Sequence, residues 1–150
     1  MITKNLHVFL LFLMTGLLLA CNKQPDFQYS DATAGQYEDF SGQWLVINYW
    51  AVWCKPCIEE IPELNKLAQQ HKNIQVVGIN FDSATADQLS RQAQQLNIQF
   101  PIAMASPHKY YAYDYPKVLP STVIINPKAE LKQILIGPQT QASILKVINQ

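Results

Sequence analysis

The stretch Trp44-Leu-Val-Ile-Asn-Tyr-Trp50 is the strongest constraint on the fold. It is a continuous run of aromatic, β-branched and aliphatic residues, the pattern of a strand buried on both faces. Residues 74–81, Ile-Gln-Val-Val-Gly-Ile-Asn-Phe, repeat that pattern. Between the two runs, Cys57, Ile61, Leu64 and Ala68 recur at helical spacing and mark one apolar stripe of a helix starting at Lys55. Pro62 falls inside that helix and is expected to kink it. Strand, helix and strand in this order form a βαβ unit, whose strands must be parallel.

The rest of the chain continues the alternation. Thr85 and Gln88 form a capping box ahead of the stripe Ala86, Leu89, Ala93 and Leu96. Residues 100–104 read as a short strand, at an edge because Pro101 donates no hydrogen bond. Residues 106–115 hold Tyr110, Tyr111, Tyr113 and Tyr115 in a short helix or loop, read as packing and surface. Residues 122–126 and Leu131–Ile136 flank a turn at 127–130 and make a hairpin. Gly137-Pro138 ends it, and Thr140 caps a last helix with Ile144, Leu145 and Ile148 facing inward. The predicted class is α/β, three layers around a central mixed sheet.

Composition narrows the partners. The chain has 150 residues, enough for one domain. Eleven Lys and Arg balance eleven Asp and Glu, and only 15% of residues are charged. No basic cluster exceeds a pair, so a nucleic-acid surface, which needs many cationic contacts, is excluded. Three cysteines are too few for a disulfide scaffold.

The amino terminus reads as an address. Lys4 precedes an apolar stretch over residues 6–19. That is shorter than the roughly 20 residues a membrane helix needs and suits a signal peptide over residues 1–20. It ends in Leu18-Leu19-Ala20-Cys21, which resembles the bacterial lipoprotein lipobox. The resemblance implies cleavage before Cys21, its acylation, and a lipid anchor on the extracytoplasmic side of a bacterial membrane. Each buried CH₂ of such a chain contributes about 0.8 kcal/mol. Ordinary secretion, with Cys21 incidental, is the other reading. By the same resemblance, Asn22 stands where an Asp commonly retains lipoproteins in the inner membrane, which implies an outer membrane if the cell has one. Residues 21–35 are mostly polar and read as a tether, with the folded domain at 36–150.

With Cys21 lipidated, Cys54 and Cys57 remain, and free thiols in an oxidising compartment need a reason. In Trp53-Cys54-Lys55-Pro56-Cys57 the pair opens a helix. Cys54 would then lie near unpaired N–H groups and the positive helix end, which favour a thiolate. Cys57, one turn in, would face the core, where its thiolate is disfavoured. Cys54 is therefore expected to be the exposed nucleophile and Cys57 the resolving thiol. Pro56 suits a first helical turn. A zinc knuckle is an alternative but needs two more ligands, with only His71 and His108 available. A permanent disulfide is another, although so small a ring cross-links little chain.

The segment Val46-Ile-Asn-Tyr-Trp-Ala-Val-Trp-Cys-Lys-Pro-Cys57 resembles the active-site strand and motif of the thioredoxin superfamily. Asn48, the Glu60 and Pro62 continuation, and Leu119-Pro120-Ser121-Thr122 resemble its TlpA/ResA-like, membrane-anchored thiol-disulfide oxidoreductases. The resemblance implies a thioredoxin-like fold and a cis Pro120 lying against the cysteine pair. It further implies a Leu119 backbone free to pair with substrate, and Glu60 exchanging protons with the thiols. Trp53 is expected to shield the sulfur edge, and with Pro56, Leu119 and Pro120 to bind substrate. Tyr49 and Trp50 are expected in the core, and Glu59 and Glu63 in solvent.

The expected activity is exchange of a Cys54–Cys57 dithiol or disulfide with protein substrates, as a reductant, without metal or other cofactor. The family implies a membrane electron donor and clients such as apocytochrome c thiols. A monomer is expected. A metal-binding CxxC module and a non-catalytic thioredoxin-like binding module are the alternatives. Nothing resembles a Thr-x-x-Cys peroxidatic site.

Overall fold

The structure, a computed structural model, describes residues 24–82 and 84–150. Its centre is strand β3 (Trp44–Trp50), preceded by β1 (Phe27–Gln28) and β2 (Ala34–Gly35). Helix α1 (Lys55–Gln70) leads to β4 (Ile74–Asn80), which runs parallel to β3 with Trp44 opposite Ile74 and Trp50 opposite Asn80. Helix α2 (Ala86–Gln95), capped by Thr85 and Gln88 as expected, leads to β5 (Ile102–Ala103). Strands β6 (Ser121–Ile125) and β7 (Leu131–Ile136) form the predicted antiparallel hairpin, and α3 (Gln141–Ile148) follows. The sheet order is β5-β4-β3-β6-β7, a mixed sheet in which the short β5 begins just after Pro101.

Period-two alternation along β3 divides the core. Val46 faces Leu64 and Leu67 of α1 and Ile144 and Val147 of α3. Leu45, Ile47 and Tyr49 face the other way, against Phe27, Tyr111 and Tyr113. On that side the helical layer shrinks to two 3₁₀ turns, Tyr37–Phe40 and Pro107–Lys109. A third cluster, Trp50, Ala51, Cys54, Cys57, Leu89 and Ile102, closes the carboxyl end of β3. Fully burying a Leu, Val or Phe side chain contributes roughly 1.5–3 kcal/mol, so these three clusters hold the layers together.

Several expectations change. The tether does not extend to Gly35, because β1 and β2 pair as an antiparallel hairpin. Its Gln28 carbonyl accepts the Met104 N–H and its Ser30 N–H reaches the Ile102 carbonyl, both at 2.8 Å, which extends the sheet past β5. A single buried aromatic, Phe27, drives this, packed among Tyr29, Tyr37 and Phe40. Pro62 falls inside helix α1, as expected, and is exposed there. On α3, Ile144 and Val147 are the buried pair, with Leu145 and Ile148 at its margin. The signal segment, Cys21 and the first tether residues lie outside the described residues.

Candidate active site

Strand β3 delivers the cysteine pair to the amino end of α1. Cys54 is the N-cap residue, in extended conformation, and its sulfur accepts the Cys57 N–H at 3.3 Å. Pro56 sits in the first turn, where no N–H is needed. Cys54 and Cys57 are joined as a disulfide with Cα atoms 5.3 Å apart. Cys54 is less open than expected: 5% exposed, against 0% for Cys57. Trp50, Leu89 and Ile102 crowd the pair, and Leu119 leans on the same cluster. The expected order still holds, with Cys54 outermost.

The second element arrives from β6. Because β6 is antiparallel to β3, its first residue, Ser121, lies opposite Tyr49, and the preceding loop reaches the cysteine end of the sheet. The Leu119–Pro120 peptide bond is cis and Pro120 is buried. Gly137 N–H donates to the Pro120 carbonyl at 2.9 Å, and Ser121 Oγ donates to the Val118 carbonyl at 2.7 Å. The Leu119 main chain makes no hydrogen bond among the described residues. Beside the loop runs an open groove of about 330 Å³ lined by Tyr115, Val118, Ser121, Ile134 and Ile136.

Glu60 stands one helical turn beyond Cys57 and is only 2% exposed. Its Oε1 accepts Asn48 Nδ2–H at 2.6 Å, and its Oε2 accepts the Gln139 main-chain N–H at 2.7 Å. Burial pushes its pKa up to about 7, against the opposing pull of those two hydrogen bonds. Asn48 Nδ2 also reaches Thr122 Oγ1 at 3.4 Å, while Asn48 Oδ1 has no partner. The sequence singled out Asn48 only as a family mark and did not reveal Gln139, whose contribution is a main-chain group.

Trp53 is 64% exposed, and its indole N–H donates to Asp82 Oδ2 at 2.9 Å. Asp82 was missed; its position just past β4 was the available signal. Glu59 is exposed as expected, but Glu63 is not merely solvated. It accepts the Gln141 N–H at 3.1 Å and pairs with Lys66 at 2.6 Å. Tyr49 and Trp50 are fully buried. Among the described residues, no cluster of three or more His, Cys, Asp or Glu could hold a metal ion.

Residues 21–134 match the AhpC/TSA family. The thioredoxin-like protein YneN of Bacillus subtilis is 31% identical, across 78% of this chain and 71% of that protein. The thiol-disulfide oxidoreductase ResA of Geobacillus kaustophilus is 27% identical, across 80% of this chain and 71% of its own. Among solved structures, StoA from Bacillus subtilis superposes with a TM-score of 0.66 at 18% identity, covering 81% of this chain and 93% of that one. That likeness carries the fold, and the sequence relatives carry the thiol-disulfide oxidoreductase activity. The chain belongs to the AhpC/TSA family of thioredoxin-like proteins and is a thiol-disulfide oxidoreductase.

Proposed function

We propose that this oxidoreductase works outside the cytoplasm, held to a bacterial membrane by a lipid on Cys21, and reduces disulfides of protein substrates. The observation that carries the chemistry is the disulfide at the head of α1, with Cys54 the outer sulfur and the cis Leu119–Pro120 loop beside the same cluster. The apolar stretch 6–19 ending in Ala20-Cys21 supports the compartment and the anchor.

In the reduced enzyme, Cys54 thiolate attacks a substrate disulfide. A Cys54–substrate S–S bond forms, the substrate S–S bond breaks, and one substrate thiolate leaves. Cys57 gives its proton to Glu60, attacks Cys54, and expels the second substrate thiolate. Two electrons have passed from the dithiol to the substrate, and the disulfide present here results. Glu60 suits the proton step, since a carboxyl near pKa 7 exchanges protons readily at neutral pH. Trp53, Pro56, Leu119 and Pro120 form the substrate-facing rim, with the unpaired Leu119 main chain available to an extended segment. The two sulfurs carry the electron pair without another cofactor, and a membrane donor of electrons restores the dithiol. The monomer is the working unit.

The test pairs two measurements. Cys54→Ser should abolish insulin-disulfide reduction while circular dichroism keeps its native form; unchanged turnover rejects the mechanism. Labelling cells with radioactive fatty acid should mark the wild-type chain and leave Cys21→Ser unlabelled. A reduction potential below that of the client disulfide fixes the direction, because 30 mV corresponds to about 1.4 kcal/mol for two electrons.

A further inference from the structure

Two hydrogen bonds, two residues apart, tie the two halves of the site together. Gly137 N–H holds the Pro120 carbonyl at 2.9 Å, and Gln139 N–H holds Glu60 Oε2 at 2.7 Å. The segment between them is short and braced. Gln139 Nε2 donates to the Gly137 carbonyl at 2.8 Å, and Ser143 Oγ donates to Gln139 Oε1 at 2.9 Å. Gly137 stands at φ 87°, a conformation that side chains disfavour, so this glycine sets the turn out of β7. The far end is pinned by the Gln141 N–H on Glu63 and by the Thr140 cap of α3.

We propose that residues 137–139 are a strap that couples a substrate main chain seated at Leu119–Pro120 to the hydrogen bonding of Glu60, with the Gln139 N–H as its positioning group. This rests on the roles of Glu60 and the cis-proline loop proposed above. A segment that pairs with Leu119 loads the Pro120 peptide, and Gly137 is bonded to that peptide's residue. A displacement there reaches Gln139 across a single intervening residue, Pro138, whose ring fixes its φ. The bond at Glu60 favours the ionised carboxylate, so stretching it raises the proton affinity of the group that receives the Cys57 proton. The other groups facing Glu60 are neutral: Asn48 on β3 and, behind it, Thr122 on β6. On its own helix Cys57 lies one turn before it, and Glu63, paired with Lys66, one turn after. The coupling therefore runs through hydrogen bonds and needs no new charge.

The test uses the Cys57→Ser protein carrying a mixed disulfide on Cys54, once with 2-mercaptoethanol and once with a short cysteine-containing peptide. Both adducts have the same S–S bond, but only the peptide offers a main chain to Leu119. The Glu60 carboxyl carbon and the Gly137 and Gln139 amides are followed by NMR against pH. The Gln139 amide should titrate at the Glu60 midpoint. The peptide adduct should titrate about half a pH unit above the 2-mercaptoethanol adduct. Gln139→Pro, which lacks the N–H, should raise the midpoint in both adducts and erase their difference. Should that variant not fold, Gly137→Ala replaces it. A Cβ at Gly137 meets no atom within 4 Å, so only the backbone is perturbed, and the adduct difference should shrink. A Gln139 amide blind to Glu60, or a difference that survives in both variants, overturns the coupling. A peptide that cannot be captured on Cys54 at all overturns the proposed reaction, and this inference with it.

Discussion

Glu60 of α1 and Asn48 of β3 meet in the core at 2.6 Å, and the amide oxygen of Asn48 is left without a partner. An ionised carboxylate here keeps two donors but loses bulk water; a protonated one needs an acceptor. Turning the Asn48 amide over would supply that acceptor. The pair therefore accommodates both protonation states, and the raised pKa of about 7 puts the change near neutrality.

A first prediction concerns stability against pH. A carboxyl whose native pKa is raised from 4.5 to about 7 stabilises the fold fully below its unfolded pKa. That contribution is lost as pH rises through the native value. The loss between pH 4.5 and 8 should be of the order of 3 kcal/mol. Glu60→Gln stays neutral throughout, can still accept the Gln139 N–H, and can donate to the free Asn48 oxygen. Urea melts should show that the variant lacks this fall and exceeds the wild type at pH 8. A wild type as stable at pH 8 as at pH 5, relative to the variant, would contradict the assignment.

The depth difference between the two sulfurs gives a second. Cys57 is sealed and Cys54 retains a small exposed area, so attack from outside can reach only Cys54. Cys57→Ser should accumulate mixed disulfides with client proteins on non-reducing gels, whereas Cys54→Ser should accumulate almost none. Equal trapping by both variants would refute the order of attack.

The exposed indole of Trp53 is held by Asp82 alone among the described residues. Asp82→Ala would free a large side chain that docking must then order, at about 0.5–1.5 kcal/mol. kcat/KM for insulin reduction should fall roughly two- to tenfold, through KM, with the melting temperature nearly unchanged. A fall confined to kcat would assign Asp82 to chemistry rather than positioning.

What the sequence made legible follows from locality. A strand buried on both faces must be continuously apolar, so 44–50 and 74–80 stood out, and with them the parallel pair. The Cys54–Cys57 spacing, the Thr85 and Thr140 caps and Leu119-Pro120 are local signals too. The groups that complete the site are not local. Gln139 acts through a main-chain N–H that any residue but proline would supply. The Asn48–Thr122 contact depends on the β3–β6 register. Tyr111 and Tyr113 are buried because rings, not a long helix, cover one face of the sheet. Their spacing in a polar segment carries no such sign.

The amino-terminal hairpin is the other hidden element, and it yields the last prediction. Phe27 is 5% exposed, stacks at 5.1 Å on Tyr37, and packs edge-on at 4.9 Å against Tyr29. It joins the cluster that contains Tyr49, the residue opposite Ser121 beside the cis-proline loop. Gly35 makes this possible, since a Cβ there would run into the Phe27 ring. Phe27→Ala should cost about 3–5 kcal/mol, as a large core aromatic does. Gly35→Ala should cost about 1–3 kcal/mol by overpacking. The two should not add, because once the ring is gone the methyl has room. A free tether would respond to neither change. Guanidinium melts of the two single variants and the double variant decide between these cases, and additivity in the double variant would place Gly35 outside the Phe27 contact.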